Sequence, residues 1–198
     1  MCCGCEWTPA ISVSASDLPD RSTSLALLGR LERPLLDVIG RRRAATDPKT
    51  VRRVALFSSL GEYGRCWLAL GLGGAIYDRP LRRDWLQATA SMLGAYGCGL
   101  LLKRLFARPR PAPAPGQEKA ISTPTELSFP SSHATTSFAA ATAMAPVLKR
   151  SGYPLVAHAL TPLAAVMTAS RVYLGVHYPS DVIAGAALGR AVARVLGP

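Results

Sequence analysis

The chain has 198 residues, a formal net charge of +11, 49% hydrophobic and only 18% charged residues, and a mean hydropathy of +0.20. The length fits one domain. The apolar content excludes an intrinsically disordered chain and argues against a basic nucleic-acid-binding domain, which combines high charge with a smaller apolar fraction. A helical membrane protein remains as the first reading, a soluble protein with unusually apolar helices as the second.

Residues 1–20 are polar and irregular and read as a disordered end. Cys2, Cys3 and Cys5 lie there without the second half of a metal site, and neither the basic nor the apolar part of a signal peptide is visible. Cys66 and Cys98 sit in apolar runs and read as small buried residues. Over 22–40, Leu25, Leu28, Leu31, Leu35, Leu36 and Ile39 recur at helical spacing around Arg30, Glu32 and Arg33, which predicts an amphipathic helix. It is too charged to cross a bilayer and suits its surface. The segment 41–53 follows as a basic linker with Arg41, Arg42, Arg43, Lys49, Arg52 and Arg53, suited to anionic headgroups. Residues 54–198 read as the membrane-embedded domain.

Five helix-length segments are expected at about 54–77, 84–106, 131–148, 153–172 and 178–196. A span needs about 20 mainly apolar residues, which the second to fourth meet and the first and fifth approach. The expected fold is therefore all-α: an integral membrane bundle of about five spanning helices plus an N-terminal amphipathic helix. Gly185 and Gly189 form a small-xxx-small pair for close helix packing. Glu62 and Arg65, three apart, form an ion pair near the membrane boundary or support a polar site. Prolines keep 107–130 out of helix and make it a long loop.

Four polar clusters fall at helix ends. Lys103 to Arg110 closes the second helix, and Ser131, Ser132 and His133 open the third. Arg171 closes the fourth, and His177 and Asp181 open the fifth. The second helix ends on the side where the third begins; the fourth returns to it. Segment order alone therefore brings all four clusters to one face. Three cations (Lys103, Arg110, Arg171) and a helix amino end suit a dianionic phosphate, and the arginine forks each grip two oxygens. His177 and Asp181 are one turn apart, so Asp181 can orient one ring nitrogen and leave the other facing phosphorus. His133, from another helix, is placed to protonate a leaving oxygen. His158, in an apolar run, reads as a cap or surface residue, and Arg104, Arg108, Arg190 and Arg194 as snorkelling anchors.

The three blocks resemble those of the type 2 phosphatidic acid phosphatase superfamily, which also includes vanadium haloperoxidases and bacterial acid phosphatases. Lys103 followed by six residues and Arg110-Pro111 matches the first block. Pro130-Ser131-Ser132-His133 matches the second, with Ser132 in place of glycine. Ser170-Arg171, His177 and Asp181 match the third. Arg108-Pro109 offers a shifted alignment, and Arg110 keeps the spacing from Lys103. The resemblance implies that Lys103, Arg110, Arg171, Ser131 and Ser132 bind phosphate and that His177 forms a phosphohistidine. It also implies that Asp181 orients His177, that His133 serves as acid and then base, and that no metal or organic cofactor takes part.

The implied substrate is a lipid phosphate: phosphatidate, phosphatidylglycerol phosphate, polyprenyl pyrophosphate or a polyprenyl-linked sugar phosphate, the short chain being similar to the branch that acts on decaprenyl-phosphoryl-ribose phosphate. The bilayer is the expected partner, nucleic acid is not, and the oligomeric state is open. Basic residues ahead of the first span place the active site of a multi-pass cell-membrane protein on the cytoplasmic face. A non-catalytic lipid-phosphate binder or transporter, and a soluble vanadate-dependent oxidase, are the alternatives.

Overall fold

The computed structural model describes residues 21–113, 120, 121, 123 and 125–198, so the reading of 1–20 and its three cysteines lies outside the described residues. The described chain is helical: α1 (Arg21–Ala44), α2 (Pro48–Leu60), a 3-10 turn (Glu62–Gly64), α3 (Arg65–Tyr77), α4 (Arg82–Phe106), α5 (Ser132–Arg150), α6 (Pro154–Tyr173) and α7 (Pro179–Leu196).

Two stretches differ from the sequence reading. The basic segment 41–53 is helical on both sides of a short break, not an open linker. Arg41, Arg42 and Arg43 form the last turn of α1, where cations meet the negative end of the helix dipole. Pro48 then opens α2, where its missing N–H costs nothing. The helix expected over 54–77 is broken at 61–64. Tyr63 and Gly64 both take positive φ, 54° and 69°, and the Arg65 guanidinium donates to the carbonyls of Ser59 (3.0 Å) and Glu62 (3.2 Å). Arg65 thus ties down the backbone of the kink, and the kink swings Ser58 and Glu62 toward the other helix ends.

The core centres on α5, which packs against α4, α6 and α7. Its alanines are almost wholly buried, with Met92, Met144 and Met167 filling the spaces between. The Thr135 and Thr136 hydroxyls donate back to the carbonyls of Ser131 and Ser132, both at 3.0 Å, so these polar groups are satisfied inside the helix. Trp67 reaches across with its indole N–H to the Ser137 hydroxyl at 3.0 Å.

Glycines set the α5–α7 distance. A β-carbon on Gly185 or Gly189 would overlap the carbonyl oxygen of Ser131 or Thr135. Gly189→Ala is expected to cost about 1–3 kcal/mol by overpacking and to lower the thermal unfolding midpoint in detergent. Gly73→Ala, where nothing lies within 4 Å, is expected to leave the midpoint unchanged or raise it slightly.

The outer faces carry Leu72, Ile76, Leu101, Leu105, Leu155 and Ile183, all exposed, where a water-soluble bundle would place charge. Cys98 is also exposed and Cys66 half-buried, so neither is the fully buried residue expected. Among the described residues one helix, α6, is long and apolar enough to cross a membrane, with a mean hydropathy of 1.3. α4 carries charges at both ends, Arg82, Arg83 and Asp84 at the start and Lys103 and Arg104 at the close. α5 is rich in alanine, serine and threonine, a composition that suits a helix surrounded by other helices.

Candidate active site

The four clusters expected at one face do meet there. Arg110 and His177 touch, with Nη1 to Nε2 at 3.0 Å. The Ser131 N–H donates to the Asp181 carbonyl at 2.9 Å, joining the start of α5 to the start of α7. A single pocket is lined by Lys103, Arg110, Ser132, His133, Arg171 and His177, together with Glu62, Tyr63, Tyr96, Leu100 and Thr125.

Each cation is held by backbone or hydroxyl oxygens, which leaves part of its fork or ammonium for a ligand. The Lys103 ammonium donates to the carbonyls of Leu127 and Ser128, both at 3.1 Å. Arg110 donates to the carbonyls of Thr125 (2.7 Å) and Val176 (2.8 Å). Arg171, 2% exposed, donates from Nη1 to the Ser58 hydroxyl at 2.9 Å. Among the described residues, three buried side-chain atoms have no hydrogen-bond partner: Ser131 Oγ, Arg171 Nε and Thr168 Oγ1. Two of them belong to the phosphate-binding set read from the sequence, and unpaired buried polar atoms are costly unless something meets them.

The first helical bond of α5 runs from the Thr135 N–H to the Ser131 carbonyl. The N–H groups of Ser132, His133 and Ala134 therefore lack partners within the helix and form an anion-binding end. Ser132, which stands where the resemblance expects glycine, lines the pocket. Its backbone donor remains in the first turn.

His177 is 2% exposed, in the turn between α6 and α7. Burial first, then the charges of Arg110, Lys103 and Arg171, hold its ring well below the usual histidine range, so it is neutral at pH 7. Its Nδ1 faces Asp181 Oδ2 at 3.4 Å, while Nε2 accepts from Arg110. That pattern selects the tautomer with the proton on Nδ1 and a lone pair on Nε2. Asp181 is fixed in turn by the Tyr178 N–H (2.9 Å) and by Arg108 (2.6 Å). His133 donates from Nε2 to the Ser58 carbonyl at 3.1 Å, which leaves Nδ1 as the nitrogen with a lone pair, able to take up and release a proton.

Three participants were given no role in the site by the sequence reading that keeps Arg110 in the first block. Ser58 bridges Arg171 and His133. Arg108, expected to be a surface anchor, is 4% exposed and lies between Asp181 and Glu32. Glu32, expected on the polar face of a surface helix, reaches α7. Of the other residues expected to be anchors or surface groups, Arg104, Arg194 and His158 are exposed, and Arg190 stacks on Phe138 with its guanidinium carbon 4.1 Å from the ring centre.

The profile of the PAP2 superfamily matches residues 84–196. The decaprenylphosphoryl-5-phosphoribose phosphatase of Mycobacterium tuberculosis is 43% identical over 139 residues, 70% of this chain and 74% of that protein. Its Mycolicibacterium smegmatis counterpart is 37% identical over 141 residues, 71% and 74%. Among solved structures, a transmembrane PAP2-type phosphatidylglycerolphosphate phosphatase from Bacillus subtilis matches with a TM-score of 0.62 at 21% identity, covering 89% of this chain and 94% of that one. Aquifex aeolicus LpxE matches at 0.65 and 25% identity, covering 83% and 93%.

Proposed function

The chain belongs to the PAP2 superfamily, and from that premise we propose that this membrane-associated phosphatase hydrolyses a polyprenyl-linked sugar phosphate through a phosphohistidine on His177. The carrying observation is the pocket itself, in which one neutral imidazole, a second imidazole, three cations and a helix amino end converge.

Lys103, Arg110, Arg171 and the N–H groups opening α5 hold the phosphate. Arg110 exchanges its contact with His177 Nε2 for a phosphate oxygen. Nε2 attacks phosphorus and the bond to the alcohol oxygen breaks. His133, entering the step with a second proton on Nδ1, gives that proton to the leaving oxygen, then takes one back from water as the water attacks the phosphohistidine. Phosphate leaves and His177 is restored. Asp181 stabilises the charge that grows on His177, and the cations stabilise charge on the equatorial oxygens.

The sugar-bearing class is favoured by the pocket wall and by the relatives at 37–43% identity. Glu62, Tyr63, Tyr96 and Thr125 share the cavity with the phosphate clamp. A carboxylate there opposes an anion but accepts from hydroxyls, as a ribose would supply. An apolar groove bounded by Phe138, Val172, Val182 and Ile183 lies between α6 and α7 and suits a prenyl chain. Phosphate release in detergent from decaprenylphosphoryl-ribose 5-phosphate, polyprenyl pyrophosphate, phosphatidate and phosphatidylglycerol phosphate tests the proposal. The highest kcat/KM is expected for the ribose-bearing lipid. Preference for phosphatidate would refute the sugar assignment alone, and no release from any of them would refute the function.

In this reading the broken helix over 54–77 and α4–α7 cross the bilayer, α1 lies at the site's face, and that face is cytoplasmic. Arg41, Arg42, Arg43, Lys49, Arg52 and Arg53 cluster on it, ahead of the first span. With Ala112→Cys in a cysteine-free background, a membrane-impermeant maleimide is expected to label only after permeabilisation. Labelling in intact cells would place the site outside.

A further inference from the structure

We propose that Glu32, on α1, is a positioning residue for this reaction: it shares the Arg108 guanidinium with Asp181 and thereby sets how Asp181 meets His177. The inference rests on the mechanism above, in which Asp181 orients His177.

The chain of contacts is continuous. Arg108 Nη2 donates to Glu32 Oε2 at 3.1 Å, and Nη1 donates to Asp181 Oδ1 at 2.6 Å and to the Ser180 hydroxyl at 2.8 Å. Glu32 also accepts from the Ser180 N–H at 2.7 Å and from its hydroxyl at 2.9 Å. The carboxylate therefore caps the first turn of α7, the turn that carries Asp181, and neutralises Arg108. The three charged side chains are 13%, 3% and 0% exposed for Glu32, Arg108 and Asp181. The Tyr178 ring lies under the guanidinium, 3.9 Å from its carbon.

Charge balance gives the arrangement its consequence. Asp181 divides its two oxygens, Oδ1 toward Arg108 and Oδ2 toward His177, and the second contact is the longer at 3.4 Å. With Glu32 present, Arg108 divides its charge between two carboxylates. Without it, Arg108 would keep Asp181 as its carboxylate partner among the described residues and would draw it away from the imidazole. α1 is held over this face at several points. Arg33 donates to the Ala112 carbonyl (3.1 Å) and Arg43 to the Tyr173 carbonyl (3.0 Å). Gly29 permits close approach, since a β-carbon there would lie 3.2 Å from Arg108 Nη2. α1 lies wholly outside the 84–196 stretch matched by the family profile, so the relay adds to the family's blocks from a separate element.

The test is steady-state kinetics of the full chain in detergent with a lipid phosphate, including inhibition by inorganic phosphate. Glu32→Gln is expected to lower kcat about tenfold with KM and phosphate inhibition unchanged. In an Asp181→Asn background the same change is expected to add no further loss. An equal fractional loss in both backgrounds, a rise in KM matching the fall in kcat/KM, or wild-type kcat would overturn the proposal. If Glu32→Gln does not fold, Glu32→Asp, which keeps the charge and withdraws it by one methylene, carries the same readouts. Turnover retained by His177→Ala would overturn the mechanism itself, whatever Glu32 does.

Discussion

Replacing His177 with alanine is expected to reduce phosphate release by about 10⁴-fold or more while the protein still folds. The size follows from removing the nucleophile of a two-step transfer, since the phosphate clamp alone leaves only the residual catalysis of binding and electrostatics. Folding should survive because the surrounding turn does not depend on the imidazole. The Val176 N–H donates to the Arg171 carbonyl and the Asp181 N–H to the Tyr178 carbonyl, both at 3.1 Å. Asp181 itself stays held by Arg108 and the Tyr178 N–H. The imidazole is buried against cations that oppose its protonation, so its loss removes packing without exposing a paired charge. Thermal unfolding of the variant beside wild type checks the fold, and phosphate release from the ribose-bearing lipid checks the activity. Turnover within tenfold of wild type would remove His177 from the chemistry.

Arg171 should be the most sensitive member of the clamp. Among the described residues its Nε has no partner, and Nη1 is already committed to Ser58. A planar fork fixed at one corner presents its remaining N–H groups in a set direction. Arg171→Ala is expected to lower kcat/KM by about 10²–10³-fold, the usual effect of losing one preorganised donor at a developing oxyanion. Arg171→Lys keeps the charge and is still expected to lose most of this, because a point charge on a flexible stem cannot serve Ser58 and a phosphate oxygen together. Full activity in the lysine variant would show that charge, not geometry, is what the position supplies. Ser58→Ala, which leaves the guanidinium in place but unanchored, is expected to cost roughly tenfold or less.

The convergence of the four clusters is legible in the order of the segments, because the ends of successive antiparallel helices alternate sides whatever their packing details. Spacing from Lys103 distinguishes Arg110 from Arg108, and the two arginines have different neighbours: Arg110 faces His177 and Arg108 faces Asp181 and Glu32. Three other features were hidden for physical reasons. Ser58 receives His133 on a backbone carbonyl, which every residue type possesses, and Arg171 on its hydroxyl, but it lies 75 and 113 residues away from them, and a serine within a helix carries no local sign of either contact. Glu32 meets Ser180 from 148 residues away and looked like any charge on the polar side of a surface helix. Arg108 sits just past a helix end, where membrane arginines commonly reach for water, and only the fold turns it inward. The kink at 61–64 was signalled by the charges of Glu62 and Arg65, which interrupt the apolar run, and by two glycines three apart, but a pair of charges three apart is equally compatible with a continuous helix.

Hydropathy was the least informative guide to the helices. α5 is central because its side chains are small, and small side chains lower mean hydropathy as they permit close packing. α6 alone, among the described helices, combines the length and apolar character of a span. α4 and α7 turn small residues such as Ala88, Gly99, Gly185 and Gly189 inward and leave Leu101, Leu105 and Ile183 exposed, a division that a window average cannot see.

The most direct test of the account is rapid quenching of the enzyme with a lipid substrate labelled at its terminal phosphate, followed by peptide mapping under alkaline conditions. The account predicts label on the peptide that contains His177, stable to base and lost in acid, and absent in the His177→Ala variant. Label on another residue, or full turnover with no labelled protein at any time during the first cycle, would contradict it.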